Sequence, residues 1–544
     1  MVMKKILPYL LCLLVLSCDK LFHEEEISIA EITTLAELEQ AVNGVYAQFF
    51  GLFTDYNGLY YKFLQAYMRG DDMASLSTPV YNHYYNDENG CESYIFGDGY
   101  LDGAWNELYA IIASANNIIG QFYPPLEQGK EKKQLLGEAY FLRAYCYFRL
   151  VRTYGRIPLA KDIDIDYSTP LAGYEEIYTF IESDLKTAMQ LLPRNNSEAR
   201  TPFVTAHRGV AKAYLAEVYL NWAGYPAKNN TKYTLAARTA KEVIDSAEYF
   251  GFGLEEDFAR VWEEGNRYNP ETIFALYFIT PDSTTMTNTY SNFIPGVNTG
   301  YSGYNIENTV IIMYMLEADS SMIMIWGGIP SEINFYNDYP KNYRRDITFF
   351  TTLYVPGYIV RDNPELDSGY VEVTAGPCAR PGYRKFFYTS SVNILSYEYC
   401  MNTPMEERFH GNPKIYLYRY AQVLLTYAEA TARSGQLSTE AYEAVNQIRR
   451  RAYNVDIHSA SPYDISSGLS AEAFADSVVQ ERAWELAGEP DVRWFDLIRL
   501  EKVEEVFSTR HPLEGGFPEE PVTKDDYFFP IPEGEVILNP NLEE

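Results

Sequence analysis

Two blocks of apolar residues at helical spacing lie on either side of a long region that lacks this spacing, and this pattern constrains the fold most. The clearest stripe, on a helix predicted over 128–154, consists of Leu135, Ala139, Leu142, Cys146 and Leu150. The predicted helices form pairs joined by short turns: 128–154 with 173–192, 204–223 with 232–247, 415–434 with 438–453, and 471–487 with 491–505. A chain with this pattern is expected to be mainly α-helical.

Two more helices are predicted upstream, one over 103–121 and one that ends near Phe50. Thr33 or Thr34 can cap the latter, with Glu37 placed to complete a capping box. Alanine recurs where paired helices must approach closely, as in tetratricopeptide (TPR) packing, although the pairs do not form a clean 34-residue array. We therefore predict a TPR-like scaffold, with an irregular helical domain without repeats as the alternative.

The region between the helical blocks is rich in Gly, Pro, Asn, Thr and Tyr. Two segments within it have strand character, 271–278 and 347–355, and the second stops at Pro356. Long loops in a compact chain usually serve a function. We therefore divide the chain after its first 30 residues into an N-terminal helical block, a loop-rich, partly β ligand-binding region and a C-terminal helical block: 31–262, 263–412 and 413–544.

The chain is strongly acidic, with 44 Lys and Arg residues against 75 Asp and Glu residues and a formal charge of −31. Such a surface repels phosphate backbones, which argues against nucleic acid as a partner. The chain also contains 49 Tyr residues, whose rings have an apolar face and a polar tip and therefore suit wet recognition surfaces as well as cores.

The first residues have the pattern of an export signal. Lys4 and Lys5 precede an apolar stretch from Ile6 to Leu16, which is too short to span a bilayer comfortably. The stretch ends in Leu-Val-Leu-Ser-Cys, which resembles a bacterial lipobox. We therefore predict a signal peptide over 1–17, lipid attachment (acylation, including palmitate) at Cys18, and a tether over 18–30. A plain secretory signal with a coincidental Cys is the alternative.

The cysteines and acidic residues give little indication of a cofactor. Cys146 lies on the apolar stripe and is expected to be a buried thiol, whereas pairing of Cys378 with Cys400 stays open. No CxxC pattern occurs, so a structural zinc site is not expected. Asp162, Asp164 and Asp166 are spaced like the start of a calcium loop, but Tyr167 and Gly173 stand where that loop needs Gly and Glu. We therefore expect no cofactor, with calcium as the alternative to a solvated linker there.

Catalytic motifs are missing from the sequence. It contains no G-x-S-x-G, no H-E-x-x-H and no G-x-x-x-x-G-K-[ST] motif. We therefore expect a binding protein rather than an enzyme.

Two stretches without helical periodicity combine aromatic residues with polar neighbours, namely 71–100 and 290–339. Sugars have apolar C–H faces that stack on aromatic rings and hydroxyl groups that bond to Asp, Asn and Arg, so such stretches suit a glycan. The predicted ligand-binding residues are Asp71, Asp72, Tyr81, Asn82, Tyr84, Tyr85, Tyr301, Tyr304 and Trp326. The alternative is that these rings pack the loops onto the core.

Several ordered segments resemble the SusD/RagB family of surface nutrient-binding lipoproteins. ERAWELAGEPDVRWFDLIRL, residues 481–500, is similar to the family's C-terminal signature, and KIYLYRYAQVLLTYAEA, residues 414–430, to one of its helices. AYFLRAYCYFRLVRTYGRIPL at 139–159, WNELYAIIASANNII at 105–119 and the terminal FFPIPEGEVILNPNLEE also match family segments. The resemblance runs from the lipobox to the C-terminus and is weakest over 71–100 and in the middle region.

The signature also has a physical interpretation. It places Glu485, Glu489, Arg493, Asp496 and Arg499 on two neighbouring short helices. Acid–Arg pairs with bidentate hydrogen bonds would lock these helices together, which is a structural role. Use of the two glutamates as an acid/base pair is the alternative, and it is disfavoured because the arginines would keep them ionised.

The resemblance implies a surface glycan-binding lipoprotein, anchored to the outer membrane by lipid and facing the cell exterior. It further implies a SusC-like TonB-dependent transporter as the partner to which bound oligosaccharide or polysaccharide is delivered for import. The alternative within the family is a RagB-type protein that captures peptides or another nutrient on the same kind of transporter. A TPR-like scaffold for a protein partner and a glycosidase with two carboxylates are the other hypotheses.

Overall fold

The computed structural model describes twelve parts of the chain: 31–52, 70–73, 99–162, 168–277, 311–317, 320–326, 331–349, 358–359, 383, 385, 414–511 and 521–543. The predicted signal peptide, Cys18 and the tether lie outside these residues. So do Asp164 and Asp166 of the calcium alternative, and Cys378 and Cys400. Among the described residues, no helix is long and apolar enough to cross a membrane.

In the N-terminal block, the described residues form six longer helices and two short ones. They are α1 (Leu35–Gly51), α2 (Gly99–Gln121), α3 (Lys130–Tyr154), α4 (Tyr174–Leu191), α5 (Arg208–Ala223), α6 (Lys232–Asp245), α7 (Ala247–Phe250) and α8 (Phe258–Val261). Thr34 and Glu37 form the predicted capping box at the start of α1. Gly155 ends α3 with a φ of 75°, a conformation that favours glycine. Cys146 is buried, as expected, and burial raises the pKa of its thiol.

Among the residues that the structure describes, five strands form two small sheets. They are β1 (Thr272–Tyr277), β2 (Ile311–Glu317), β3 (Ser320–Trp326), β4 (Tyr358–Ile359) and β5 (Lys414–Arg419). β1, which the sequence predicts, pairs antiparallel with β5, so that Thr272 lies opposite Arg419 and Tyr277 opposite Lys414. β2, β3 and β4 form the second, antiparallel sheet in that order.

The remaining helices lie in the middle region and the C-terminal block. They are α9 (Ile333–Asp338), α10 (Tyr343–Thr348), α11 (Tyr420–Arg433), α12 (Thr439–Ala452), α13 (Ala471–Glu485), α14 (Arg493–Arg499), α15 (Val503–Thr509) and α16 (Glu533–Leu538). Short 3₁₀ helices cover Pro125–Glu127, Asn196–Glu198, Glu264–Asn266, Lys524–Asp526 and Pro540–Leu542.

Two predicted elements are wrong at their first residues. The helix expected over 415–434 begins only at Tyr420, because the preceding residues form β5, whose six residues are all buried and pair with β1. The strand expected over 347–355 is contradicted at its start, since Ile347 and Thr348 end α10. That helix is capped by Asn342, whose side chain accepts a hydrogen bond from the Arg345 N–H at 3.0 Å.

The helical pairs α3–α4, α5–α6 and α11–α12 pack as predicted, and the fold is a mainly helical, TPR-like scaffold. The helix predicted over 491–505 is instead divided into α14 and α15, with Glu501 between them at a φ of 54°. α11 also packs against α5, α6 and α13, so the C-terminal block lies directly against the N-terminal block. Tyr214 of α5 contacts both Phe274 of β1 and Tyr418 of β5, which joins the sheet to the helices in one core.

Candidate functional site

The structure places only three of the predicted ligand-binding residues. Tyr81, Asn82, Tyr84, Tyr85, Tyr301 and Tyr304 lie outside the described residues. Trp326 is the last residue of β3 and pairs in register with Ile311 of β2. The remaining two, Asp71 and Asp72, belong to a short segment of residues 70–73, which we call the strap.

Asp71 of the strap is bound to the signature region. Arg493 of α14 forms a bidentate salt bridge with the Asp71 carboxylate, in which the Arg493 Nη2 donates to Asp71 Oδ2 at 2.6 Å. Although burial alone raises the pKa of Asp71, the Arg493 guanidinium holds it below its usual value. The carboxylate is therefore ionised and serves to join the strap to α14.

Asp72 is fully buried, which corrects its prediction as a ligand-binding surface residue. Its Oδ2 accepts a hydrogen bond from the backbone N–H of Gly488 at 2.8 Å. Its backbone carbonyl accepts another from the Tyr383 hydroxyl at 2.5 Å. Burial raises the pKa of Asp72 to about 7. The sequence suggested a ligand-binding role because Asp72 begins a stretch of aromatic and polar residues, and it contained no signal for the contact with Gly488.

The strap brings together the two aromatic-rich stretches that the sequence singles out. Met73 forms an antiparallel bridge with Ser331, and the Glu332 N–H donates to the Asp72 carbonyl at 3.4 Å. Residues 71–73 begin the first stretch, and Ser331 and Glu332 belong to the second. The two stretches, far apart in sequence, therefore meet at this point. Tyr339, from the end of the second stretch, packs into the core instead, and its hydroxyl donates to the Trp484 carbonyl at 2.7 Å.

The signature helix α13 ends in a buried ion cluster centred on Glu485. Its carboxylate contacts Arg344 of α10 at 2.8 Å, Arg419 of β5 at 3.0 Å and Arg451 of α12 at 2.7 Å. Burial opposes ionisation, but these three guanidinium groups lower the pKa of Glu485 to about 2. Glu271, next to β1, pairs with both Arg419 and Arg451 and so extends the cluster.

Glu489 forms the second half of this cluster. Arg419 binds its two carboxylate oxygens through Nε at 2.7 Å and Nη2 at 2.8 Å, and the Lys385 Nζ lies 2.7 Å from Oε1. Arg419 and Lys385 lower the pKa of Glu489 against the effect of burial. Burial lowers the pKa of Lys385 to about 8. Lys385, like Arg344 on α10, thus joins the middle region to the scaffold.

A second buried cluster links α13 and α14 to the helices around them. Arg482 contacts Asp496 and Glu217 of α5, each at 2.8 Å. Arg499 contacts Asp496 at 2.8 Å and holds Glu429 of α11 through two hydrogen bonds of 2.7 Å. Arg499 in turn lowers the pKa of Glu429 to about 2, against the effect of burial.

These geometries support the structural interpretation of the signature. The lowered pKa values of Glu485 and Glu489 agree with the expectation that arginines keep them ionised, so neither is suited to act as a general acid. The locking extends further than predicted, because the partners include residues on α5, α10, α11, α12 and β5. The described residues contain no group of three or more His, Cys, Asp or Glu side chains arranged to hold a metal ion.

Comparison with known families agrees with this architecture. The model of the SusD family matches residues 270–544, and a model described as "Starch-binding associating with outer membrane" matches residues 24–220. Among curated proteins, SusD-like protein P2 of Formosa agariphila is 27% identical over 528 residues, which cover 94% of this chain and 92% of that protein.

Solved structures share the fold along almost the whole chain. A SusD homologue from Bacteroides thetaiotaomicron superposes with a TM-score of 0.70 at 21% identity, covering 96% of this chain and 98% of that one. Surface glycan-binding protein A from Bacteroides fluxus superposes with a TM-score of 0.64 at 21% identity, covering 93% and 97%. The family model alone spans half of the sequence and includes every named member of the two buried ion clusters except Glu217. The chain therefore belongs to the SusD family.

Proposed function

We propose that this protein captures an oligosaccharide or polysaccharide at the cell surface and delivers it to a SusC-like TonB-dependent transporter. The observation that carries the proposal is the bridge between Met73 and Ser331, which brings the two aromatic-rich stretches together. Support also comes from a structural neighbour that is named a surface glycan-binding protein. The protein binds its ligand without breaking a covalent bond, and the helical scaffold holds the loops that contact the sugar.

Buried ion pairs anchor the start of the first stretch and parts of the middle region to the helical scaffold. Arg493 holds the start of the first stretch, while Arg344 and Lys385 hold the middle region against Glu485 and Glu489. Anchoring the start of the first stretch and the middle region in this way would lower the conformational entropy that sugar binding costs. Tyr81, Tyr84, Tyr85, Tyr301, Tyr304 and Trp326 are the proposed stacking residues, and Asn82 is a proposed hydrogen-bonding residue.

Affinity electrophoresis of the purified chain through gels that contain single polysaccharides tests this proposal. We expect retardation by one glycan, and loss of retardation when Trp326 and the Tyr81, Tyr84 and Tyr85 cluster are changed to Ala. Tyr249→Ala is the matched control, because Tyr249 is half exposed on the scaffold helix α7. Hydrolysis of the retarding glycan would contradict the binding-only role, and binding of peptides but no glycan would favour a RagB-type cargo.

Anchoring and partnership are tested in cells. We propose that Cys18 carries the lipid that holds the protein on the outer membrane, facing the exterior. Cys18→Ser should move the protein from the membrane fraction to the soluble fraction, while Cys146→Ser, a change at a buried thiol, should leave it on the membrane. Recovery of a TonB-dependent transporter with the affinity-tagged protein is the expected result for the partner. Its absence from pull-downs made both with and without the glycan would contradict delivery.

A further inference from the structure

A cavity of about 180 Å³ lies where the C-terminal tail crosses α2, and we call it the tail cavity. Its lining residues come from α2, the segment 158–169 and the tail: Trp105, Asn106, Tyr109, Ala113, Asn116, Pro158, Ala160, Thr169, Glu535, Leu538, Asn539 and Leu542. An engineered cavity of about 150 Å³ holds one benzene ring, so the tail cavity has room for one small group. It is separate from the strap and from both buried ion clusters.

The walls of the tail cavity are mainly apolar and well supported. Trp105 packs against Tyr109 with ring centroids 4.8 Å apart and forms an edge-to-face pair with Tyr154 at 5.0 Å. Leu542 is buried, while Leu538 is 67% exposed and stands at the rim. The two aromatic rings and these aliphatic side chains suit a ligand with a hydrocarbon stem.

Two polar side chains of the lining, Asn116 and Tyr109, have their hydrogens engaged within the protein. Asn116 uses both amide hydrogens on the carbonyls of Ala160 and Asp162, at 2.9 and 3.0 Å, and its oxygen accepts from Arg143 at 2.7 Å. The Tyr109 hydroxyl donates its hydrogen to the Pro158 carbonyl at 2.7 Å, so only its lone pairs remain. At the Tyr109 oxygen, a ligand that supplies a hydrogen-bond donor therefore fits best.

Glu535 gives the cavity a negative charge. It is half-buried on α16, and the described lining residues include no Lys or Arg. Burial raises the pKa of Tyr109, and the neighbouring Tyr147 and Glu535 add to this effect, which keeps the phenol neutral beside the carboxylate. A carboxylate has about four lone-pair sites, so Glu535 can accept from a ligand in addition to its bonds within the protein.

We propose that the tail cavity binds an alkylammonium group, either the side chain of a lysine in a protein partner or a free primary amine. The methylene stem lies along Pro158, Ala113 and Leu542, and the ammonium group donates to Glu535 beside the ring of Tyr109. Aromatic faces attract cations, which adds to the charge pairing. This site is independent of the glycan and does not rest on the proposed function.

Ligand-observed NMR with the purified chain tests the proposal, using n-butylammonium, 1-butanol as an uncharged molecule of the same length, and the peptide acetyl-Gly-Lys-Gly-amide. We expect n-butylammonium to bind in the millimolar range and 1-butanol to bind much more weakly. Glu535→Gln should weaken n-butylammonium binding roughly tenfold or more, the loss expected for a hydrogen bond to a charged group. Glu533→Gln, on the same short helix but outside the cavity lining, should leave it unchanged.

The peptide separates the two sources of the ammonium group. Binding of the peptide with the same dependence on Glu535 supports a lysine of a partner, whereas binding of the free amine alone supports a small metabolite. Ala113→Leu, which fills the cavity, should abolish both, and an unchanged thermal unfolding curve would show that this variant still folds. Three results would overturn the proposal. They are equal binding of n-butylammonium and 1-butanol, an equal loss of n-butylammonium affinity in Glu535→Gln and Glu533→Gln, and no binding at all.

Discussion

Glu485 contacts three guanidinium groups that come from three different elements of the fold. The amide of Glu485→Gln has almost the same shape as the carboxylate but leaves Arg344, Arg419 and Arg451 without its charge. Removal of one partner from a buried ion pair typically costs about 3–5 kcal/mol. We expect the free energy of unfolding, measured with urea, to fall by about this amount. Glu505→Gln, at an exposed carboxylate, should change it by less than about 0.5 kcal/mol.

The loss at Glu485 should also depend on pH. Its pKa is about 2 in the folded protein and 4.5 for the ordinary carboxyl group. The unfolded chain therefore binds the proton first, and the stabilisation from the ionised carboxylate is complete above pH 4.5 and lost as the pH falls to 2. The gap between the wild-type protein and Glu485→Gln should narrow across this window. A gap that stays constant would contradict the role of the charge.

Asp72 should have the opposite effect on stability. Its pKa is raised from 3.8 to about 7, so the folded protein holds the proton more tightly than the unfolded chain. The contribution of Asp72 to stability therefore decreases as the pH rises from 3.8 to about 7. Among the described residues, Asp71 and Arg493 act on its charge, and the titratable Tyr383 contacts its backbone carbonyl. We expect urea unfolding of Asp72→Asn to show a flatter pH dependence than the wild type in this window, and an unchanged slope would contradict the assignment.

The sequence predicted the types of these residues but not their partners. The charges of Glu485, Glu489, Asp496 and Arg499 lie in one short motif, and their mutual locking could be inferred from it. Glu217 and Glu271 lie in other parts of the chain. No local pattern identifies them, because an ion pair between distant segments requires no motif or periodicity around either partner. Asp72 was misassigned for the same reason, since its partner Gly488 acts through a backbone N–H.

Close approach of two elements at a glycine limits what the fold tolerates. A Cβ added to Gly224, which follows α5, would lie 2.6 Å from the carbonyl oxygen of Arg499 at the end of α14. Backbone cannot move aside easily, so Gly224→Ala should lower the free energy of unfolding by about 1–3 kcal/mol. Gly120→Ala is the control, because a Cβ at this position in α2 meets nothing within 4 Å. We expect this control to stabilise the protein by about 0.5–1 kcal/mol in the same denaturation assay.

If Gly224→Ala were as stable as the wild type, α5 and α14 would not be in close contact in solution.

Periodicity predicted the helices well and the strand β5 poorly. Tyr416 and Tyr420 are four residues apart, as on a helix, but the chain changes from strand to helix between them. A fully buried strand has no polar face, so alternation cannot identify it. Its pairing with β1 decides the structure, and that contact lies outside any window of the sequence.

The two helical blocks form one core, so neither is expected to be independent. Arg482 of the C-terminal block pairs with Glu217, and Arg419 and Arg451 pair with Glu271, both of which precede residue 413. A fragment of residues 413–544 would expose these arginines and the face of α11 that packs on α6. By itself, this fragment should show no cooperative thermal unfolding when it is followed by circular dichroism. When it is mixed with a fragment of residues 31–412, cooperative unfolding should return. Cooperative unfolding of the isolated fragment would contradict this.

The antiparallel pair of β1 and β5 places Tyr277 beside Lys414, so the chain leaves the scaffold and returns to it at almost the same point. Residues 278–413 are thus a single insertion whose ends are neighbours, and an insertion of this kind can change in length and sequence at little entropic cost to the frame. Arg344, Lys385 and Tyr339 are among the contacts that a replacement would need to keep. In evolutionary terms, the β1–β5 pair would let one inherited scaffold acquire a new ligand specificity by replacement of a single inserted segment.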